Sequence, residues 1–393
     1  MSFQIALSAL QSINTQLDSI SNNIANTGTT GYKSSRTNFA AMYSSAAPAG
    51  VRAASSTQTL DINGGLLSTG RNLDVAISGN GYFMVKDTTG VVNYTRTGIF
   101  DVDTSGNLVD HMGRSVQGYQ MTPGSDALGG LGTVNVPTGQ IPAKASSSVE
   151  FVGNFSADWV VPAEAFDPTK PSSYNSSAVS VVYDSLGRQH TVTQYFVKTA
   201  NNEVTVHYQN DNNAVGSSTL QFTPQGQLDT AASTINAVNL APAGADAISV
   251  SLNYAGTTQY AGDTSTTTNS ADGYASGTMV NVQIGEDGGI NVQYSNGMKQ
   301  RVGMLALASF RSESGLAPVD GTSWQATAKS GVALVGTPGA GQLGSLASGQ
   351  LEQSNVEVAT ELVDLMGAQR NYQANTKVIS TQNDIMQSLM QVM

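Results

Sequence analysis

A heptad of apolar residues near the amino terminus constrains this chain more than any other feature. Its members are separated by alternating steps of three and four residues, with mostly polar residues between them; they are Phe3, Ala6, Leu10, Ile13, Leu17, Ile20 and Ile24. Such spacing places one apolar stripe along one face of a helix, as in coiled coils. Gly28 and Gly31 then favour a helix end, because glycine tolerates the left-handed conformations that follow helices. The sequence predicts an amphipathic helix over 2–27 whose apolar face needs a partner.

A second, looser apolar stripe occupies the carboxyl terminus. Ser354 and Glu357 have the spacing of a capping box, which predicts that a helix starts there. Its apolar residues recur largely every seven positions; they are Leu362, Leu365, Tyr372, Ile379, Met386, Leu389 and Met393. One such stripe usually packs on its own domain. Two nearly uncharged stripes at opposite ends favour partners in a coiled coil, and we expect other copies of the chain to cover them.

Between the two ends the pattern is typical of β-strands. Leu73, Val75 and Ile77 occupy alternate positions ahead of the Asn80-Gly81 pair, which is typical of a hairpin turn. Further turn signals recur at hairpin spacing, around Gly106, Gly187, Gly226 and Gly288. Strands at this spacing are typical of sandwiches or barrels.

Two low-complexity stretches, 122–147 and 262–278, divide the β region and are typical of domain boundaries. The predicted fold class is mainly β with terminal α-helices. We predict the following parts: a terminal helical, coiled-coil-like domain over 1–29 and 354–393, an extended connector over 30–70, a discontinuous β domain over 71–147 and 273–353, and an outer β domain over 148–272 inserted into it.

Composition narrows the function classes. Charged residues make up only 11% of the chain, against about 25% in an ordinary soluble domain. Neutral polar residues replace them, and such a surface can meet another copy without a large desolvation cost. The net charge of −11 argues against binding to nucleic acid or anionic lipid. No apolar run is long enough for membrane insertion. No basic residue precedes Lys33, so we expect no ordinary cleaved signal peptide.

Candidate chemical motifs are weak. The segment from Asp101 to Gly106 resembles the first half of a calcium-binding loop, but Met112 stands where the bidentate glutamate should be, so a hairpin turn is favoured. Gly339–Gly344 matches a dinucleotide-binding fingerprint literally, yet no helix signal follows it directly. The chain has no cysteine, which excludes thiolate chemistry. Its three histidines are scattered along the sequence without the spacing of metal ligands. We expect no catalytic site, no metal and no cofactor, although sequence alone leaves a pair of catalytic carboxylates open.

Both ends also carry residues that resemble a known family. The amino-terminal signature residues are Asn22, Asn23, Asn26, Gly31, Tyr32 and Lys33, and the carboxyl-terminal ones are Ser354, Asn355, Gln369, Arg370 and Asn375. In this order they resemble the paired signatures of flagellar rod and hook proteins. The stretch 70–83 is similar to the opening of the β domain that those proteins share. The resemblance covers roughly 1–145 and 273–393 well, and the insert 148–272 only loosely.

The resemblance implies a structural subunit that self-assembles helically into the flagellar hook, the flexible tube that acts as a universal joint between motor and filament. It implies terminal helices that order on assembly. The implied partners are other copies, distal rod, hook cap and hook–filament junction proteins, and the flagellar type III export apparatus. The implied location is the hook, outside the cell.

Two alternatives stay open at this point. A distal rod subunit shares both signatures, but rod proteins are generally shorter and have no insert like 148–272. A secreted carbohydrate-active enzyme or adhesin with helical tails is the alternative from a different class.

Overall fold

The computed structural model describes residues 2–44, 47–121, 127–211 and 213–392. Two compact units form the fold: a first unit of Met1–Thr138, Asn281–Val292 and Lys299–Met393, and a second unit of Gly139–Val280 and Gln293–Met298. Helices lie only at the two ends of the described chain, apart from two short 3-10 turns, and strands occupy the rest. The predicted fold class, mainly β with terminal helices, is confirmed. Neither helix in the described residues has the length and apolarity that a membrane span requires.

The helices are α1, Ser2–Ala25, and α2, Val358–Val392. After α1 the chain turns and enters a long antiparallel hairpin of β1, Ser35–Ser44, and β2, Ala47–Gln58. Both strands lie along α1. This hairpin occupies much of the segment that we predicted as an extended connector over 30–70. Its Ser- and Ala-rich strands alternate too weakly to reveal the pairing, which depends on packing against α1.

The predicted capping box at Ser354 does not form, because α2 begins four residues later. Ser354 lies outside the helix, where its hydroxyl accepts the N–H of Val356. Asn355 is held by the amino-terminal segment, since its N–H donates to the carbonyl of Tyr32. These contacts keep the chain extended up to the start of α2.

Ahead of the second unit, the first unit forms eight short strands after the hairpin: β3 Leu66–Ser68, β4 Val75–Ser78, β5 Tyr82–Lys86, β6 Val92–Thr95, β7 Phe100–Val102, β8 Leu108–Asp110, β9 Ser115–Met121 and β10 Leu128–Thr133. Strands β7 and β8 pair antiparallel. In the turn between them, the Asp103 carboxylate accepts the N–H groups of Ser105 and Asn107 at 2.8 and 2.7 Å. Gly106 adopts a positive φ of 83° there. The segment that resembles a calcium loop is therefore a hairpin turn.

The second unit contains two five-stranded sheets. Its strands are β11 Ser148–Ser156, β12 Ser176–Tyr183, β13 Gln189–Ala200, β14 Glu203–Asn210, β15 Asn213–Phe222, β16 Leu228–Thr234, β17 Val238–Leu240, β18 Ile248–Asn253, β19 Thr258–Tyr260 and β20 Ser265–Ala271. Strands β12 to β16 form an antiparallel meander, and β11 is central in the other sheet. Phe151 and Phe155 from β11 pack with Phe196 from β13 in one buried core.

The remaining strands are β21 Met279–Ile284, β22 Gly289–Tyr294, β23 Lys299–Leu305, β24 Leu307–Ser309, β25 Ala317–Val319, β26 Ser323–Gln325, β27 Leu334–Gly336, β28 Ser345–Ser348 and β29 Gln350–Glu352. A large sheet follows the order β21-β22-β23-β9-β5-β6-β26-β25. Edge-to-face contacts of Tyr82 with Phe310 and Trp324 organise the first unit's core. The glycine-rich segment 339–344 leads into β28, so no helix opens there.

Candidate assembly site

The two terminal helices pack against each other along a heptad seam. At one end, the Asn23 amide of α1 contacts the Glu361 carboxylate in the first turn of α2. Further along, Ile13, Ile20 and Ala368 are buried together. Lower residue numbers in α1 thus meet higher numbers in α2, and the helices run antiparallel. From Val358 to Ser388, every α2 residue is exposed except those at one heptad series; these are Glu361, Leu365, Ala368, Asn375, Ile379 and Gln382.

The predicted self-assembly residues of α1 face this seam in most cases. Ala6, Ile13 and Ile20 are buried and Leu10, Leu17 and Ile24 are half-buried, whereas Phe3 is exposed. We expected other copies to cover this stripe, and that expectation needs correction: α2 and the hairpin of the same chain cover most of it. The physical reason is that α2 carries a seam of the same period, which sequence inspection resolved only in part.

The predicted self-assembly residues of α2 divide into two groups. Leu365 and Ile379 are half-buried on the seam, and Tyr372 lies on it at 38% exposure. Leu362 and Met386 are exposed. The side chain of Leu389 and the whole of Met393 lie outside the described residues.

Asn23 joins α1, α2 and the start of the hairpin. Its side chain is buried, and its Nδ2 donates to the Ser35 carbonyl and to Glu361 Oε1, both at 2.8 Å. Its Oδ1 accepts the Ser35 N–H at 2.9 Å and the Tyr32 hydroxyl at 3.3 Å. Burial raises the pKa of the Glu361 carboxyl, Asp364 adds to the rise, and the Asn23 hydrogen bond opposes it. A buried amide that is satisfied on both sides specifies one arrangement of the three elements.

A buried ionic group lies next to this hub. Lys33 Nζ contacts Glu352 Oε1 at 2.7 Å, and Arg96 Nη1 contacts Glu352 Oε2 at 3.3 Å. All three side chains are at most 1% exposed. Lys33 also donates to the Ile62 carbonyl at 2.6 Å. The Gly64 N–H donates to Glu352 Oε1, the oxygen that Lys33 contacts. Burial lowers the pKa of the Lys33 ammonium, and the Glu352 carboxylate opposes that shift.

Asn355 and Gly31 complete the same junction. The Asn355 side chain accepts the Ser34 N–H at 2.7 Å and donates to the carbonyls of Thr59 and Ile62 at 3.0 Å. Gly31 has a φ of 70° and donates its N–H to the Glu352 carbonyl at 2.8 Å. A Cβ at this glycine would come within 3.0 Å of the Thr97 backbone nitrogen.

The structure brings together six of the eleven signature residues in this junction: Asn23, Gly31, Tyr32, Lys33, Ser354 and Asn355. Of the other five, Asn22, Gln369, Arg370 and Asn375 lie on the helices, and Asn26 lies in the turn directly after α1. The Asn26 side chain donates to the carbonyl of Asn22 and so closes the end of α1, whereas the Asn375 side chain donates to the carbonyl of Asn371 within α2.

Sequence reasoning did not single out Glu352 or Arg96. A possible signal was the rarity of charge in this chain, since Glu352 directly follows the buried Leu351 in β29.

Within the described ranges, no three side chains of the types that ligate metals come together as a metal site. The hydrogen bonds and ion pairs of the junction all serve to hold terminal segments in place. Fold and site together define a structural subunit whose two ends form one helical part.

Comparison with known proteins shows which structural subunit this is. Family models match at 3–33 (Flagella basal body rod protein), 76–157 (Flagellar hook protein FlgE/F/G D1 domain), 154–274 (Flagellar basal body protein FlaE D2 domain) and 347–392 (Flagellar basal body rod FlgEFG protein C-terminal). The chain is 37% identical to the flagellar hook protein FlgE of Salmonella typhimurium and 38% identical to that of Escherichia coli K12, with 99% of each chain covered. FlgE of Borreliella burgdorferi is 30% identical, with 98% of both chains covered.

A crystal structure of Helicobacter pylori flagellar hook protein FlgE2 shares the fold, with a TM-score of 0.55 and 13% identity over 74% of this chain and 100% of that one. The chain therefore belongs to the flagellar hook protein FlgE family and is a non-enzymatic subunit of the flagellar hook. The predicted family and function are confirmed. The full-length relatives named here favour the hook over the rod alternative, and the enzyme alternative is wrong.

Proposed function

We propose that this hook subunit polymerises through its terminal helices, and that residues 1–29 and 354–393 form the helical inner part of the polymer. The observation that carries the proposal is a second, exposed apolar stripe on α2, beside the α1 seam. Val358, Leu362 and Met366 are spaced four residues apart, so they share one helix face. Each is 45–50% exposed. Nothing among the described residues of the same chain covers this face, so a neighbouring copy is its natural partner.

The outer parts follow from the same proposal. Residues 71–147 with 273–353 would form a middle β domain, and 148–272 an outer one whose contacts between copies are weaker, so that the tube bends while it transmits torque. The low charge of the chain supports contacts between copies over much of its surface. Family membership supports distal rod, hook cap and hook–filament junction proteins as end partners, and export by the flagellar type III apparatus.

The substitution Leu362→Asp tests the proposed stripe. Because Leu362 is exposed in the single chain, we expect the free energy of unfolding of the monomer to change by no more than about 0.5 kcal/mol. The critical concentration for polymerisation should rise about tenfold or more, since burying a leucine contributes about 1.5–3 kcal/mol. Sedimentation and electron microscopy of the induced polymer measure this.

Ala374→Asp is the matched control, because it adds the same charge at an exposed α2 position outside both the stripe and the α1 seam. Equal loss of assembly in both variants would show that added charge, rather than the stripe, decides the outcome. Normal tubes from Leu362→Asp would contradict the proposal.

A further inference from the structure

The end of the helix pair farthest from the junction presents an uncharged apolar surface, here called the tip. It comprises Phe3, Ile5 and Leu7 of α1 and Ile385, Met386 and Met390 of α2, which are between 38% and 70% exposed. No Asp, Glu, Lys or Arg occurs from residue 2 to 17 or from 385 to 392. Exposed apolar side chains that are grouped at one end of a helix pair mark an interaction site.

The tip exists because α2 is longer than α1. The helices have 35 and 24 residues. With Asn23 opposite Glu361, the amino-terminal end of α1 comes opposite Gln382, which is also the last half-buried residue of α2. Beyond it, every described α2 side chain is exposed. The overhang therefore covers residues 383–392, about 15 Å of helix.

The overhang continues the seam. Steps of four and three residues from Gln382 lead to Met386 and Leu389. Where α1 covers the seam, it includes the polar residues Glu361, Asn375 and Gln382. Where α1 has ended, the seam position Met386 is apolar and 53% exposed. An apolar seam that continues past the end of its partner helix requires a helix from elsewhere.

We infer that this helix comes from a second copy of the chain, and that the overhang packs on the amino-terminal turns of the second copy's α1. Phe3 and Leu7 lie one turn apart on the same face, so they can pack on α2 as Ile13 and Ile20 pack with Ala368 within one chain. Asp384 is the one charged side chain of the overhang, and it lies two residues from Met386, on the opposite side of the helix. The surfaces that would meet therefore carry no side-chain charge, which removes repulsion between copies. It also disfavours an anionic membrane as the occupant, because such binding requires Lys or Arg. This inference rests on the proposed polymerisation and specifies which helix ends meet.

Cysteine pairs test the contact directly, because the chain has no cysteine of its own. Met386→Cys and Leu7→Cys chains are mixed, polymerised and oxidised. We expect a disulfide-linked dimer that requires both variants. Mixing Met386→Cys with Asp18→Cys is the control, since Asp18 is exposed on α1 but about three turns away from Leu7. Met390→Cys serves as a second overhang probe if Met386→Cys does not polymerise.

The inference would be overturned if polymers form but Leu7→Cys cross-links to neither overhang probe more than Asp18→Cys does. That result would leave the proposed function intact. A wild-type chain that forms no polymer would overturn both. Co-sedimentation of the monomer with phosphatidylglycerol vesicles, lost when residues 383–393 are deleted, would show that a lipid surface occupies the tip and would also overturn the inference.

Discussion

Removing the charge of Glu352 tests whether the buried ionic group holds the terminal segments in place. In Glu352→Gln, shape is conserved, but Lys33 and Arg96 remain buried without their shared counter-ion. The new amide also places an NH2 group against one of these two donors. Breaking a buried ion pair in this way costs about 3–5 kcal/mol. For a unit of this size, that loss lowers the thermal midpoint by roughly 6–20 °C.

Tryptophan fluorescence measures the effect on the right unit. The chain has two tryptophans, and Trp324 lies in the core of the first unit, whereas Trp159 packs in the second. In a Trp159→Phe background, the signal therefore reports on the unit that contains Glu352. The control is Arg301→Gln, which breaks an ion pair whose Asp287 carboxylate is 52% exposed, and should cost under about 1 kcal/mol. A loss for Glu352→Gln no larger than for this control would refute the reasoning.

Two further predictions concern a glycine and a carboxylate. Gly31→Ala should destabilise the first unit by about 1–3 kcal/mol in urea unfolding, because alanine is strained at a φ of 70° and its Cβ would crowd Thr97; an unchanged midpoint would contradict the close approach. In the second unit, burial opposes ionisation of Asp272, but hydrogen bonds from Ser147, Ser148 and Lys144 outweigh it and hold the pKa of the carboxyl well below its usual range. Its contribution is therefore complete above about pH 4 and is lost as the pH falls through the lowered pKa. We expect Asp272→Asn to cost about 1.5–3 kcal/mol at pH 7 and progressively less toward pH 2, measured by unfolding at each pH; a difference that is independent of pH would contradict this.

The local order of residues was sufficient to predict the helices and the β character of this protein. The apolar period of 3.5 residues at the amino terminus determines local structure, and so do turn glycines such as Gly106 and Gly187. Each signal depends only on residues close in sequence, so it can be recognised without knowing the fold. Signature residues identified the family for the same reason, since they are recognised as short strings. The start of α2 was placed too early because the Ser354 signal is local, whereas the contact between Asn355 and Tyr32 is not.

Contacts between distant parts of the chain were decided only in three dimensions. Lys33 meets Glu352 across 319 residues of sequence, and no spacing rule connects them. The hairpin of β1 and β2 depends on α1 beneath it, and the partner of the α1 stripe depends on how far α2 extends alongside. Apolar periodicity indicates that one face of a helix is buried, because removing apolar surface from water stabilises the fold. Which helix covers that face, and where the cover ends, depends on the relative lengths and register of two segments that meet only when the chain has folded.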